Sequence, residues 1–310
     1  MRKYPQFYRN SLFAILVSFA FSACTPDEEK IATTAPFDLP PQEAFLLDFS
    51  ALESASSKAI TDSLSYYDYS GAPMGKVIQD YSDSQPGYAT LNSISNFNFS
   101  AFRVGAWNLI SVAVMAIPTA SFLEAFNHQP TATADGKWQW SYSVTVLLQR
   151  YDARLVGAIV GDQVVWEMYL SRGDGAFTDV NWYSGTHNLT ATSGSWTLRQ
   201  RDNSTEVVSD IIQIDWERDL TAGTRRIRYT NLSDNGYIEN GISADASYDA
   251  YFNIDNKVLP ALINIEWNST DKNGRVKSSN ITDPGHFGHI DWNCWDSATA
   301  VTPYADATCS

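Results

Sequence analysis

The sequence predicts a mainly β protein: a large antiparallel meander, a curved sheet or barrel, packed on an N-terminal helical segment. Three observations carry that expectation. Beyond Gly136, apolar and polar residues alternate with a period of two through segment after segment. Turn pairs rich in Gly, Asn and Asp separate those segments. Before Gly136, residues 104–117 are apolar nearly all round, the mark of a helix buried on most of its faces.

The composition agrees. With 10 Trp, 16 Tyr and 15 Phe among 310 residues, and 44% hydrophobic residues overall, the chain has the material for a substantial core and is no disordered polymer. Its formal net charge of −14 argues against nucleic acid as a partner and against docking on anionic lipid by charge.

Reading from the start, Arg2, Lys3 and Arg9 precede an uncharged apolar run over 11–21, followed by Ser22-Ala23-Cys24. Small residues before the cut suit a signal peptidase, and the run is too short to span a bilayer as a helix. This resembles the signal peptide and lipobox of bacterial lipoproteins, although Phe21 stands where that pattern usually has Leu. The resemblance implies a signal peptide over 1–23, lipidation of Cys24, and anchoring worth ~0.8 kcal/mol per buried methylene. The acidic run Asp27-Glu28-Glu29 is similar to the surface-export signals of Bacteroidota lipoproteins. The implied location is the outer membrane, on its periplasmic or cell-surface face.

Pro26, Pro36, Pro40 and Pro41 make residues 24–45 a flexible tether, and the apolar patch at 44–49 opens a single domain over 46–310. Its first part, 46–130, is helical and looped; its second, 137–310, is the meander. Residues 50–90, rich in Ser, Tyr and Asp, are expected to form short elements and loops. A helical pattern runs over 93–126, with Pro118 at the first position of a second short helix. Arg103, Asn108, Ser111 and Pro118 argue against a membrane span there.

In the meander, Trp138, Trp140, Tyr142, Val144, Val146 and Leu148 share one face of a long strand. Gly161-Asp162 turns 155–160 back into 164–170. Further strands are expected over 176–183, 195–201, 207–218, 224–231, 241–254, 262–268, 275–279 and 289–295. Trp166, Trp216, Trp267 and Trp292 recur beside carboxylates as a weak internal repeat, at steps of roughly one or two hairpins. Parity places Trp216 with Ile212 and Ile214 towards the core, and Asp215 and Glu217 towards solvent. The apolar helix then lies on the Trp-rich concave face. In outline this looks like the half-barrel lipoprotein carriers of the Lol system, an architectural likeness that no motif carries.

Candidate chemistry is sparse. Cys294 and Cys309 form a disulfide in an oxidising compartment, or remain two thiols. His286, His289 and Asp291 are weak metal candidates, set in a Gly-rich loop whose histidines equally suit backbone and water contacts. Asp215 and Glu217, about 7 Å apart along a strand, match a glycosidase pair only in spacing. No phosphate loop or nucleophile elbow is present, so neither a cofactor nor an enzymatic activity is expected. Two roles remain. A carrier of a hydrophobic ligand would use a pocket lined by Trp140, Trp166 and Trp216. A surface module recognising glycan or protein would use less buried aromatics, of which Trp182 and Trp295 are the candidates.

Overall fold

The computed structural model describes residues 35–46, 95–146, 148–245, 247–257, 261–268, 270–279, 291–296 and 305–309. The expectations for Cys24, for residues 50–90 and for His286 and His289 lie outside the described residues. The described elements belong to one compact unit, Thr33–Ser310.

The strands are β1 (Thr131–Ala132), β2 (Trp138–Val146), β3 (Gln149–Val160), β4 (Gln163–Arg172), β5 (Val180–Asn188), β6 (Ser193–Arg201) and β7 (Val208–Asp219). They continue as β8 (Thr224–Asn231), β9 (Tyr237–Ile242), β10 (Ala250–Asn256), β11 (Ala261–Trp267), β12 (Gly274–Ser279), β13 (Asn293–Asp296) and β14 (Ala305–Ala307). Each pairs with its neighbours in sequence, so one 14-stranded antiparallel meander results. Successive turns alternate between two rims. The β3–β4, β5–β6 and β7–β8 turns lie on the first rim, and the β4–β5, β6–β7 and β8–β9 turns on the second.

Several boundaries differ from the sequence reading. The strand expected to reach Leu148 stops at Val146, and Leu148 is a fully exposed turn residue with φ of 67°. Alternation is blind to a turn whose own residues are apolar. The expected strand 241–254 is two strands, because Ser243 and Asp245 accept bonds from the Asp245 and Ser247 amides and fold the intervening chain into a loop. The 176–183 segment gives way to β5, and 289–295 to β13. β6 starts at Ser193, two residues before the strand expected over 195–201.

Parity holds through most of the sheet. Trp138, Trp140, Trp166, Trp196, Trp216 and Trp267 are all buried on the inner face. Glycines on adjacent strands make room for them. Trp166 is paired across to Gly157 on one side and Gly185 on the other, and Trp267 and Trp295 both pair with Gly274. A Cβ at Gly157 would lie 2.6 Å from the Trp166 ring, and one at Gly185 would collide with the Trp196 ring. Two bulges, with Trp182 and Ile211 as the extra residues, break the ladder and add twist.

One helix, α1 (Asn96–Glu124), crosses the inner face. Pro118 sits within it rather than starting a second helix. The bond lost at a helical proline costs about 3 kcal/mol when nothing compensates. Here the following turn is held from outside: Ser121 Oγ donates to the Pro118 carbonyl at 2.9 Å, and the Tyr142 hydroxyl donates to the Ser121 carbonyl. Among the described residues no helix is long and apolar enough to cross a membrane. With 29 residues α1 is about 43 Å long, enough to reach from β2 at its end to β12, β13 and β14 at its start. The Asn96 amide donates to Asp306 Oδ1 at 2.7 Å and its side chain to the Cys294 carbonyl at 2.9 Å. An anion there also complements the helix dipole. At the other end the His128 ring stacks on Tyr142 with centroids 4.9 Å apart. Cys294 and Cys309 are joined as a disulfide, with Cα atoms 5.2 Å apart.

Folded structure begins earlier than the tether boundary at 45 implied. Residues 35–46 form a strap along the inner face, just inside the first rim. Phe37 packs edge-on against Trp166 at 5.4 Å. Phe45 is fully buried, stacked on Phe122 at 4.9 Å, and its carbonyl accepts the Tyr229 hydroxyl at 2.9 Å. Glu43 pairs with Arg218 at 3.1 Å. Prolines shape this segment for an extended path, but its phenylalanines fix it to the core.

Candidate functional site

The residues expected to line a ligand pocket on the inner face are buried. Trp140, Trp166 and Trp216 are at most 4% exposed. Phe37 lies against the first two, and His187 sits between Trp166 and Trp216, 5.9 and 6.4 Å from their ring centroids. Burial lowers the His187 pKa, so the ring is neutral and Nδ1–H donates to the Asn188 carbonyl at 2.6 Å. Beside the strap, a crevice of about 20 Å3 lined by Glu43, Leu46, Trp216, Glu217, Arg218 and Arg226 has room for a single water. One feature of this face is unusual. The indole N–H groups of Trp166, Trp196, Trp216 and Trp267, and His187 Nε2, are buried without a hydrogen-bond partner among the described residues.

Trp295 is a correction. It was expected among the least buried aromatics, yet it lies on the inner face, 1% exposed and 5.9 Å from Phe97. The strand frame assumed for 289–295 is shifted by one, which puts Trp292 outside. There Arg275 and Lys277 cover its ring at 4.3 and 4.6 Å. Trp182 is half-buried at a bulge, with one face stacked on Phe177 at 5.2 Å. Asp291 is exposed just before β13. Among the described residues no group of three or more His, Cys, Asp or Glu is arranged to hold a metal ion.

The outer face carries the polar chemistry. Registers align two cross-strand rows there. One runs Ser193–Glu217–Arg226–Gly241–Tyr251–Glu266 from β6 to β11. The next runs Ser195–Asp215–Arg228–Glu239–Asn253–Asn264 over the same strands. Glu239 is the hub, its side chain only 8% exposed. Its Oε2 accepts from Arg228 Nε at 2.6 Å and Arg226 Nη1 at 3.2 Å. Arg226 Nε also donates to Glu217 Oε1 at 2.8 Å, and Asn264 donates to Asn253 at 2.8 Å. Tyr237 lies 4.3 Å beneath Arg228. Arg226 and Glu239 hold fixed positions because each bonds two oppositely charged partners.

The electrostatics follow from those pairs. The Arg226 hydrogen bond keeps the Glu217 carboxyl below its usual range, and Glu217 in turn raises Arg226. Burial pushes the Tyr251 hydroxyl up to about 12. Glu217 is thus held ionised, which removes the proton donor that a glycoside-cleaving pair with Asp215 would need from that position.

Two adjoining depressions lie over these rows. One, of about 410 Å3, is lined by Thr186, Ser193, Ser195, Asp215 and Arg228; the other, of about 450 Å3, by Asp219, Thr224, Arg225, Ser243 and Tyr251. They share Glu217 and Arg226. Sequence reasoning singled out Asp215 and Glu217 but passed over Arg226, Arg228, Glu239 and Tyr251. Alternation in β8 and β9 contained the signal: Arg226 and Arg228 interleave with Ile227 and Tyr229, and Glu239 with Ile238 and Asn240. Comparison with family models, curated proteins and solved structures gives no match, so the site is read from its own geometry.

Proposed function

We propose that the protein is a lipid-anchored recognition module whose outer face binds a hydroxyl-rich ligand, a carbohydrate. The observation that carries the reading is the pair of joined depressions over Glu217 and Arg226. Each has the size of a small-ligand site, and their linings alternate hydroxyls with fixed carboxylates and guanidinium groups. Sugar hydroxyls both donate and accept, and this lining supplies both partners in positions set by the Glu217–Arg226–Glu239–Arg228 network. The lipobox-like Cys24 supplies the anchor, and the outer membrane remains the location this implies. The test is a glycan array probed with the full-length protein, followed by titration of any hit against Asp215→Asn and Thr186→Ala. Both variants should weaken binding about tenfold, as loss of a hydrogen bond to a charged or buried partner does. Binding that ignores both changes, or no glycan bound at millimolar concentration, rejects the reading.

A second reading keeps the inner face as a carrier site for an apolar ligand bearing oxygen acceptors. The unpartnered indole N–H groups favour it, since each buried donor without an acceptor costs about 1–3 kcal/mol. In that case the ligand replaces the strap. Native mass spectrometry of the detergent-free protein should show an organic-extractable mass, which increases when Phe37→Ala and Phe45→Ala loosen the strap. A bare mass in both forms sets this reading aside.

A further inference from the structure

We propose that the first rim of the meander docks on a lipid bilayer by inserting aliphatic side chains from three consecutive hairpin tips. This rests on the lipid-anchor part of the reading above. Ile159 and Val160 at the β3–β4 turn, Leu189 at β5–β6 and Leu220 at β7–β8 are 46%, 60%, 53% and 71% exposed. All four sit on the same rim.

Two of the tips are built alike. Asn188-Leu189-Thr190-Ala191 and Asp219-Leu220-Thr221-Ala222 repeat one pattern. In the first, Asn188 Oδ1 accepts the Thr192 amide at 2.8 Å. In the second, Asp219 Oδ1 accepts the Thr221 and Ala222 amides at 2.8 and 2.9 Å. The polar side chain is turned back onto its own loop, and the leucine projects outward on a fixed turn. Nothing in packing requires leucine at either position, since neither is buried.

The second rim also exposes aliphatic residues, Leu148, Val207 and Leu232. Its β4–β5, β6–β7 and β8–β9 turns, however, carry Asp174, Asp202, Glu206 and Asp234, against Asp162 and Asp219 at the three tips of the first rim. Hydrogen bonds from Ser204 and the Thr205 amide hold Asp202 ionised, its pKa down at about 2. On the first rim the Ala222 and Thr221 amides likewise hold the Asp219 carboxyl below its usual range, so the rims differ in the number of carboxylates to be kept out of hydrocarbon.

Chain length selects the same rim. The strap runs just inside the first rim, where Phe37 faces β3 and β4 and Glu43 reaches Arg218 at the end of β7. From Cys24 to Ala35 the sequence spans eleven residues, about 40 Å when fully extended. A twelve-residue strand such as β3 is itself about 40 Å long. Placing the second rim on the bilayer would consume the whole leash, whereas the first rim needs little of it. Each tip alone binds weakly; the anchor makes their insertion intramolecular.

The test uses the full-length chain, processed in a bacterial host and reconstituted in phosphatidylethanolamine–phosphatidylglycerol vesicles containing nitroxide-labelled lipid. Leu189→Cys, Leu220→Cys and, on the second rim, Ser204→Cys are labelled with an environment-sensitive fluorophore. Nitroxide lipid should quench the labels at 189 and 220 at least twofold more than the label at 204, with blue-shifted emission. Replacing Leu220 by Asp should lower the quenching at 189. If the protein stays on the vesicles but the three labels are quenched alike, rim docking is wrong and the anchor stands; a protein partner covering the tips would give this same result. If the native chain is retained no better than Cys24→Ala, the anchor reading fails and docking falls with it.

Discussion

The two faces of the meander cover the same fourteen strands by opposite means. On the inner face, a large indole on one strand lies over a glycine on the next, so shape alone sets the register. On the outer face, arginines and carboxylates interlock across β7 to β9, and charge does the positioning. Shape complementarity of the first kind leaves Trp166 and Trp196 at most 1% exposed. The second kind leaves grooves lined by groups still able to bond outward. Burial of tryptophan therefore marks where this protein is stable, and the ion-pair lattice marks where it can meet a ligand.

Single residues break that contrast in graded steps. Trp196→Ala should destabilise by about 4 kcal/mol, because the indole is almost wholly buried and its cavity cannot collapse beside Phe45 and Phe122. A urea denaturation midpoint reads this directly. Removing the Cys294–Cys309 bond with Cys309→Ser should cost about 3 kcal/mol on the chain-entropy account for a loop of this length. Hydrogen exchange should show the loss at β13, β14 and the start of α1 before the rest of the sheet. Gly157→Ala should cost about 2 kcal/mol by overpacking against the Trp166 ring, a penalty that Trp166→Ala should largely erase in the double variant.

The inner face also makes a pH prediction. Burial lowers the His187 pKa below its ordinary 6.5, so the folded chain binds this proton less readily than the unfolded one. Its contribution is complete above pH 6.5 and is lost as pH falls through the folded value, with a limiting slope of about 1.4 kcal/mol per pH unit. His187→Phe should flatten that part of the stability profile. The smallest effect belongs to the outer face. Thr197→Ala, one residue from Trp196 but pointing the other way, removes the 3.0 Å hydrogen bond to Gln213 Oε1 and should cost about 1 kcal/mol.

Legibility in the sequence followed the same division. The inner face could be read because burial imposes alternation, and alternation needs only one strand: Ile212, Ile214 and Trp216 declare their side without reference to a partner. Glu239 could not be read this way. Its role depends on Arg226 and Arg228 on the neighbouring strand β8, 13 and 11 residues earlier, and spacing along the chain does not contain cross-strand distance. The errors were local. Leu148 and the 243–249 loop hid turns behind apolar or strand-like residues, and Pro118 was tolerated because Tyr142 and Ser121 secure the turn around it. The one-residue shift before β13 exchanged Trp292 and Trp295 between faces, the characteristic penalty of a period of two. The strap was missed because four prolines outweighed Phe37 and Phe45 in the reading of composition.

A sheet in which every strand pairs only with its sequence neighbours behaves as a one-dimensional stack, and such stacks tend to open from their ends and lose cooperativity. Here long-range ties cross that stack. Asn96 is bonded to Asp306, Tyr229 to Phe45, and Arg218 to Glu43, across separations of 210, 184 and 175 residues. Helix and strap thus couple strands that share no ladder, so opening one end of the array strains the other. An architecture that would otherwise unzip hairpin by hairpin should therefore unfold more nearly as one unit, which coincident denaturation curves from tryptophan fluorescence and circular dichroism would check.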